Sequence, residues 1–178
     1  VAIAFAAAAM LAGVLVARTS IGDSLTRGGL ERRTIDGVPI QVPAGWEAPV
    51  PPDQTPAQLA QPDGLVVVAV IQAPRDTPAE QLRIWTAAQR KRIKVEEGID
   101  DANPVEPSLI ALPTGWDGSE LLAVAAEDPM GYRERWRVVV CSRAFGARMV
   151  FAAIYVPETI AAAAPEFFAQ LLASIGPV

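Results

Sequence analysis

The stretch from Tyr132 to Pro157, YRERWRVVVCSRAFGARMVFAAIYVP, limits the possible folds more than any other part of the chain. It reads as two long strands joined by a tight turn at Ala144-Phe145-Gly146-Ala147, where Gly146 supplies a positive φ at little steric cost. Alternation sends Trp136, Val138 and Val140 to one face of the first strand and Val139 and Cys141 to the other. The second strand sets Val150, Ala152, Ile154 and Val156 against Met149, Phe151 and Tyr155. A hairpin apolar on both faces needs cover on both, so it belongs near the centre of a sheet with helices on each side. Charges stand only at its ends: Arg133, Arg135 and Arg137 before the apolar run, Arg143 and Arg148 beside the turn.

The elements leading up to this hairpin follow from turn and cap signals. Asp36-Gly37 marks a turn between short strands, and Val38 to Val42 leads into Pro43-Ala44-Gly45-Trp46-Glu47. The Pro-rich run Ala48 to Pro62 reads as a surface loop, because proline removes ladder donors. Leu65 to Ile71 (LVVVAVI) suits a strand covered on both faces. Thr77-Pro78-Ala79-Glu80 is a capping box that opens a helix running to about Glu97. Leu82, Trp85 and Ala88 or Gln89 form its inward stripe, with Arg83, Arg90, Lys91 and Lys94 facing water. Glu96, Glu97, Asp100 and Asp101 lack the spacing and turn glycine of a calcium-binding hand and read as a solvated helix end. Val105 to Leu112 and Ser119 to Ala126 are expected to pair as a second hairpin. A final helix starts at Glu158, restarts at Pro165 and ends at Gly176, packing through Phe167, Phe168, Leu171, Leu172 and Ile175.

Val1 to Ala17 (VAIAFAAAAMLAGVLVA) is uncharged and almost wholly apolar. As a helix it spans about 25 Å, and extension through Thr19, Ser20 and Ile21 with Arg18 snorkelling brings it to a hydrocarbon core of about 30 Å. Residues 1–21 are therefore expected to form one transmembrane helix, an uncleaved anchor: Leu15 and Met10 stand where a signal-peptidase site needs small residues. Ala9, Gly13 and Ala17 recur every four residues, which either lets a second helix approach closely or reflects high alanine content alone. Residues 22–33 read as a juxtamembrane linker and 34–178 as the globular domain. Gly22-Asp23-Ser24-Leu25 spells the block that opens the GDSL esterases, but that serine needs a histidine base and the chain has none. The match is coincidental.

Composition narrows the function classes. The net charge of -5 leaves no basic stripe for phosphates, so no nucleic-acid role is expected. The absence of histidine removes Ser-His-Asp and Cys-His catalysis and most zinc chemistry. Cys141 is the only cysteine and falls mid-strand, which suits a buried, inert thiol. Glu120, Glu127, Asp128 and Glu134 are placed at strand ends and turns, and nothing pairs them for acid–base work. No catalytic residue, cofactor or metal is expected.

The order of elements, with VPAGWE near the start and EFFAQLLASI at the end, resembles the PsbP-like fold group. That group includes PsbP-type extrinsic photosystem proteins, a Ran-binding nuclear-import factor and bacterial exported proteins of the LpqN and DcrB kind. The resemblance covers roughly residues 34–178. It implies an α+β fold, an α/β/α sandwich with a mainly antiparallel sheet, that serves as a binding or assembly module. The expected function is a non-catalytic accessory subunit of a membrane complex, photosynthetic or otherwise bioenergetic, with other membrane subunits and membrane lipid as its partners. The alternative is a membrane-tethered envelope protein gripping a small lipid or peptide between sheet and helix. Trp46 and Trp116, each following a glycine, are candidate aromatic anchors for a partner, or core residues folded over a sheet edge. Arg133, Arg135 and Arg137 are a candidate docking patch, or a strand end reaching solvent. Arg18, Arg27, Arg32 and Arg33 after the helix favour a cytoplasmic domain. The exported relatives, and a helix that begins without a polar flank, favour the extracytoplasmic side, which is the expectation adopted.

Overall fold

A hairpin apolar on both faces can only sit inside a sheet covered twice, and the chain builds its sheet outward from that hairpin. A computed structural model describes residues 29–48, 57–60, 66–76, 81, 84, 87, 99–125, 130–131 and 133–176. In chain order the strands are β1 (Leu30–Ile35), β2 (Val38–Pro43), β3 (Ala57–Ala60), β4 (Val67–Pro74), β5 (Ile99–Pro104), β6 (Asp117–Ala125), β7 (Arg135–Phe145) and β8 (Arg148–Pro157). Two helices close the chain, α1 (Glu158–Ala163) and α2 (Pro165–Ala173).

Strands β3-β4-β8-β7-β6-β5 form one six-stranded antiparallel sheet, and β7 with β8 is its central pair. Their ladder runs from Trp136 opposite Pro157 to Phe145 opposite Arg148, which leaves Gly146-Ala147 as the turn. Gly146 has φ +57°, the conformation expected of it. The two faces separate as the alternation demands. Val139, Cys141, Val150, Ala152, Ile154 and Val156 join a large core, whereas Val138, Val140 and Ala153 join a smaller one with Ala69, Leu121 and Ala123.

The large core is filled from above by α2, through Phe168, Leu171 and Leu172, and by the separate β1–β2 hairpin, through Ile35, Val38, Ile40 and Val42. The hairpin turns at Asp36-Gly37, both with positive φ, and Gln72 of β4 pins that turn. Its main-chain N–H donates to Asp36 Oδ2 at 3.0 Å and its amide Nε2 to the Asp36 carbonyl at 2.6 Å. Pro165 stands at the first position of α2, as expected, and Ala164 at φ -140° breaks the chain between the two helices.

Several expectations are corrected. β1 begins at Leu30, four residues inside the stretch read as linker (residues 22–33). The Pro-rich loop contains β3, an edge strand that keeps its donors because its prolines flank it. Val105 to Leu112 is not a strand: β6 pairs instead with β5, so Asp100 and Asp101 lie in a strand and not at a helix end. Pro107 removes a ladder donor within the 105–112 segment. The helix expected over 77–97 lies mostly outside the described residues, although Gln81, Ile84 and Ala87 are helical and exposed. Residues 1–28, with the expected membrane helix and Ala9, Gly13 and Ala17, lie outside them entirely. Among the described residues no helix is long and apolar enough to cross a membrane. The described architecture is an α+β sandwich.

Candidate functional site

The three arginines before the central hairpin do not form one exposed patch. Arg133 and Arg135 are exposed, but Arg137 shares its face with Val139 and Cys141, and its side chain is only 8% exposed. A guanidinium on a core face needs charged acceptors, and two are recruited from distant positions. Nη1 of Arg137 donates to Glu120 Oε1 at 3.1 Å, while Nε and Nη2 donate to Glu158 Oε1 at 3.1 and 2.5 Å. The other oxygen of Glu158 meets Nε of Arg135 at 2.8 Å.

Glu120 lies within β6 and not at a strand end, with its side chain 1% exposed. Its Oε2 accepts from the Ile110 main-chain N–H at 2.9 Å and from the Ser108 hydroxyl. Its carbonyl accepts from Val105 N–H at 3.1 Å. The irregular 105–112 segment is thus laid across the sheet by Glu120 in place of a ladder. Arg137 and Glu120 are committed to holding the fold, and neither offers a surface for docking.

Trp46 and Trp116 are buried at 2% and 5% exposure, and both belong to the large core. That is the packing alternative, so neither is a surface anchor. The indole N–H of Trp116 finds no acceptor among the described residues, and its ring meets Phe145 edge-on at 6.2 Å. Cys141 is fully buried, and burial pushes its thiol far above the ordinary value of 9.0. Among the described residues no cluster of Cys, Asp and Glu could hold a metal ion.

One open cleft is built where the end of α2 docks on β2. Ser174 ties them: its hydroxyl accepts from Gln41 N–H at 3.0 Å and donates to the Leu171 carbonyl at 2.7 Å. Two residues on, Gly176 N–H donates to the Pro39 carbonyl at 2.9 Å. Gly176 has φ +121°, and a Cβ there would lie 2.4 Å from the Phe145 ring, so only glycine lets the backbone at this position close over that ring. The result is a cleft of about 300 Å³ with Ile40, Phe145 and Ile175 in its walls and Arg32 and Arg143 among the residues lining it.

The two arginines differ in how they are held. The Arg143 guanidinium lies 4.8 Å from the Phe145 ring centre and beside Gly115. Arg32 extends from β1 and is exposed. Neither makes a hydrogen bond or ion pair with a described residue, in contrast to Arg33, which meets Glu31 at 3.4 Å and the Trp46 carbonyl at 3.3 Å. The sequence reading assigned Arg32 to the linker and Arg143 to the turn flank. No local signal joins them, because they line one cleft only through the docking of the β1–β2 hairpin and the segment after α2 on the tip of β7.

No protein-family model matches the chain, and no curated protein sequence does either. Comparison of the fold does find similar structures. The solution structure of cyanobacterial PsbP (CyanoP) from Synechocystis sp. PCC 6803 superposes with a TM-score of 0.53, covering 85% of this chain and 94% of that one at 10% identity. The chain has the PsbP-like fold. The Ran-binding protein Mog1p of Saccharomyces cerevisiae superposes at 0.49 with 11% identity, covering 83% of this chain and 94% of its own. A mutant of Mog1 does so at 0.47 with 13% identity, over 83% and 95%. At such identities the PsbP-like likeness extends to the fold and not to any functional residue.

Proposed function

We propose that the chain is a non-catalytic accessory subunit of a membrane protein complex, tethered by a helix over residues 1–21 and covering part of the complex with its PsbP-like domain. The observation that carries this reading is the cleft. In a chain with net charge -5, Arg32 and Arg143 stand at one opening without acceptors among the described residues, which suits a surface made to meet a complementary partner. Glu120 is paired with Arg137, and Glu158 with both Arg137 and Arg135.

In this reading the helix over 77–97 completes an α/β/α sandwich and the domain lies on the extracytoplasmic side. The fold shared with cyanobacterial PsbP favours a photosynthetic or other bioenergetic complex. A ligand held between sheet and helix is the weaker reading. Phe168, Leu171 and Leu172 of α2 pack in one cluster with Val139, Ile154 and Val156, all buried. Extraction of the full chain in mild detergent tests the proposal. Membrane proteins co-purifying in fixed stoichiometry are expected, and an isolated monomer would count against it.

A further inference from the structure

We infer that the cleft between β2, the tip of β7 and the end of α2 is a receptor for a single carboxylate presented by a protein partner. This deepens the accessory-subunit reading and rests on it for the identity of the partner class.

The argument begins with donors. Arg143 is held between the Phe145 ring and Gly115, so its planar fork is positioned before any ligand arrives, and its N–H groups have no acceptor among the described residues. Arg32 lines the same cleft in the same condition. The fork of one guanidinium matches the planar, two-oxygen geometry of a carboxylate, and a second cation lining the same cleft adds to the attraction. The C-terminal end of α2 also faces this region and carries roughly half a negative charge. That end is already capped, since Ser174 N–H meets the Gln170 and Leu171 carbonyls, and two full positive charges outweigh it.

Size selects the kind of ligand. At about 300 Å³ the cleft sits at the lower limit of small-molecule sites, enough for one side chain or a chain terminus. Pro39, Ile40, Phe145 and Ile175 would pack against the apolar stem of such a group. The overall charge of -5 opposes the approach of an acidic peptide, so an acidic ligand needs a local concentration of positive charge such as this opening offers.

The experiment is an amide-resolved NMR titration of the isotope-labelled full chain in a nonionic detergent. The probes are acetyl-Leu-Glu-Leu-amide, its neutral counterpart acetyl-Leu-Gln-Leu-amide, and inorganic phosphate. The acidic peptide is expected to shift the Phe145, Ser174 and Gly176 signals with half-saturation at about 1–10 mM. The neutral peptide should leave them in place. Arg32→Gln and Arg143→Gln should each weaken the effect at least tenfold. Arg32 is exposed, so its variant remains informative even if Arg143→Gln fails to fold. Equal shifts from both peptides, or none, overturn the inference, and saturation by phosphate at lower concentration than by the acidic peptide reassigns the cleft to a phosphate. No partner protein enters this titration, so its failure is distinct from failure to recover a complex.

Discussion

Arg137 and Glu120 meet at 3.1 Å from adjacent strands, one same-face position out of register, with both side chains buried. Removing Arg137 leaves the buried Glu120 carboxylate without its counter-charge, at a cost of about 3–5 kcal/mol. Glu120→Leu leaves Arg137 its bonds to Glu158, so Arg137→Met is expected to destabilise by that order and Glu120→Leu by less, with the double variant clearly below their sum. Denaturant unfolding of the four proteins measures this. Additive losses would mean that the pair is not coupled.

The central hairpin was legible because apolar residues occupy both faces of its strands, over Val138 to Cys141 and Met149 to Val156, and a two-faced apolar pattern has one home. Asp36-Gly37 and Pro165 were legible for the same local reason, each having a backbone preference of its own. What escaped the sequence depends on distant partners. Arg137 looked like a strand-end charge because Glu120 and Glu158, 17 and 21 residues away, are not visible as its acceptors. β3 was hidden by flanking prolines, and Val105 to Leu112 passed for a strand because its bonds to Glu120 do not follow a period. Arg32 and Arg143 lie 111 positions apart in sequence (143 minus 32), so only the assembled fold unites them.

Gly118 marks a backbone contact between β6 and β7 that no side chain fits. A Cβ there would lie 2.2 Å from the Val140 carbonyl oxygen and 2.6 Å from Cys141 Cα. Gly118→Ala is expected to destabilise by about 1–3 kcal/mol or more, as other overpacked sites do. Gly45→Ala meets no atom within 4 Å and has only its φ of +89° to strain, so it should cost less. Thermal melts of the two variants give the comparison.

The Cys141 thiol should resist alkylation in the folded chain and react only on unfolding, because it is fully buried and its sulfur donates to the Ala152 carbonyl at 3.8 Å. Its folded value lies above the ordinary 9.0, so the stability it adds is complete below that pH. This contribution is lost as pH rises above 9.0, where the unfolded thiol ionises first. Melting temperatures from pH 7 upward should fall more steeply for the parent than for Cys141→Ala. Parallel curves would refute the assignment.

The side of the membrane is read by labelling. With Cys141 replaced by Ala and the exposed Ala111 by Cys, a membrane-impermeant maleimide should label intact cells. Labelling confined to lysed cells would place the domain in the cytoplasm.

The central claim is that this domain docks on membrane partners through the cleft. The direct measurement is the mass and composition of the particle recovered with the full chain in mild detergent, for the parent and for Arg32→Glu with Arg143→Glu. A stoichiometric complex is expected with the parent and at least a tenfold loss of the partners with the charge-reversed form, while its melting temperature stays within a few degrees. A parent chain recovered alone, or a charge-reversed chain that keeps its partners in full, would contradict it.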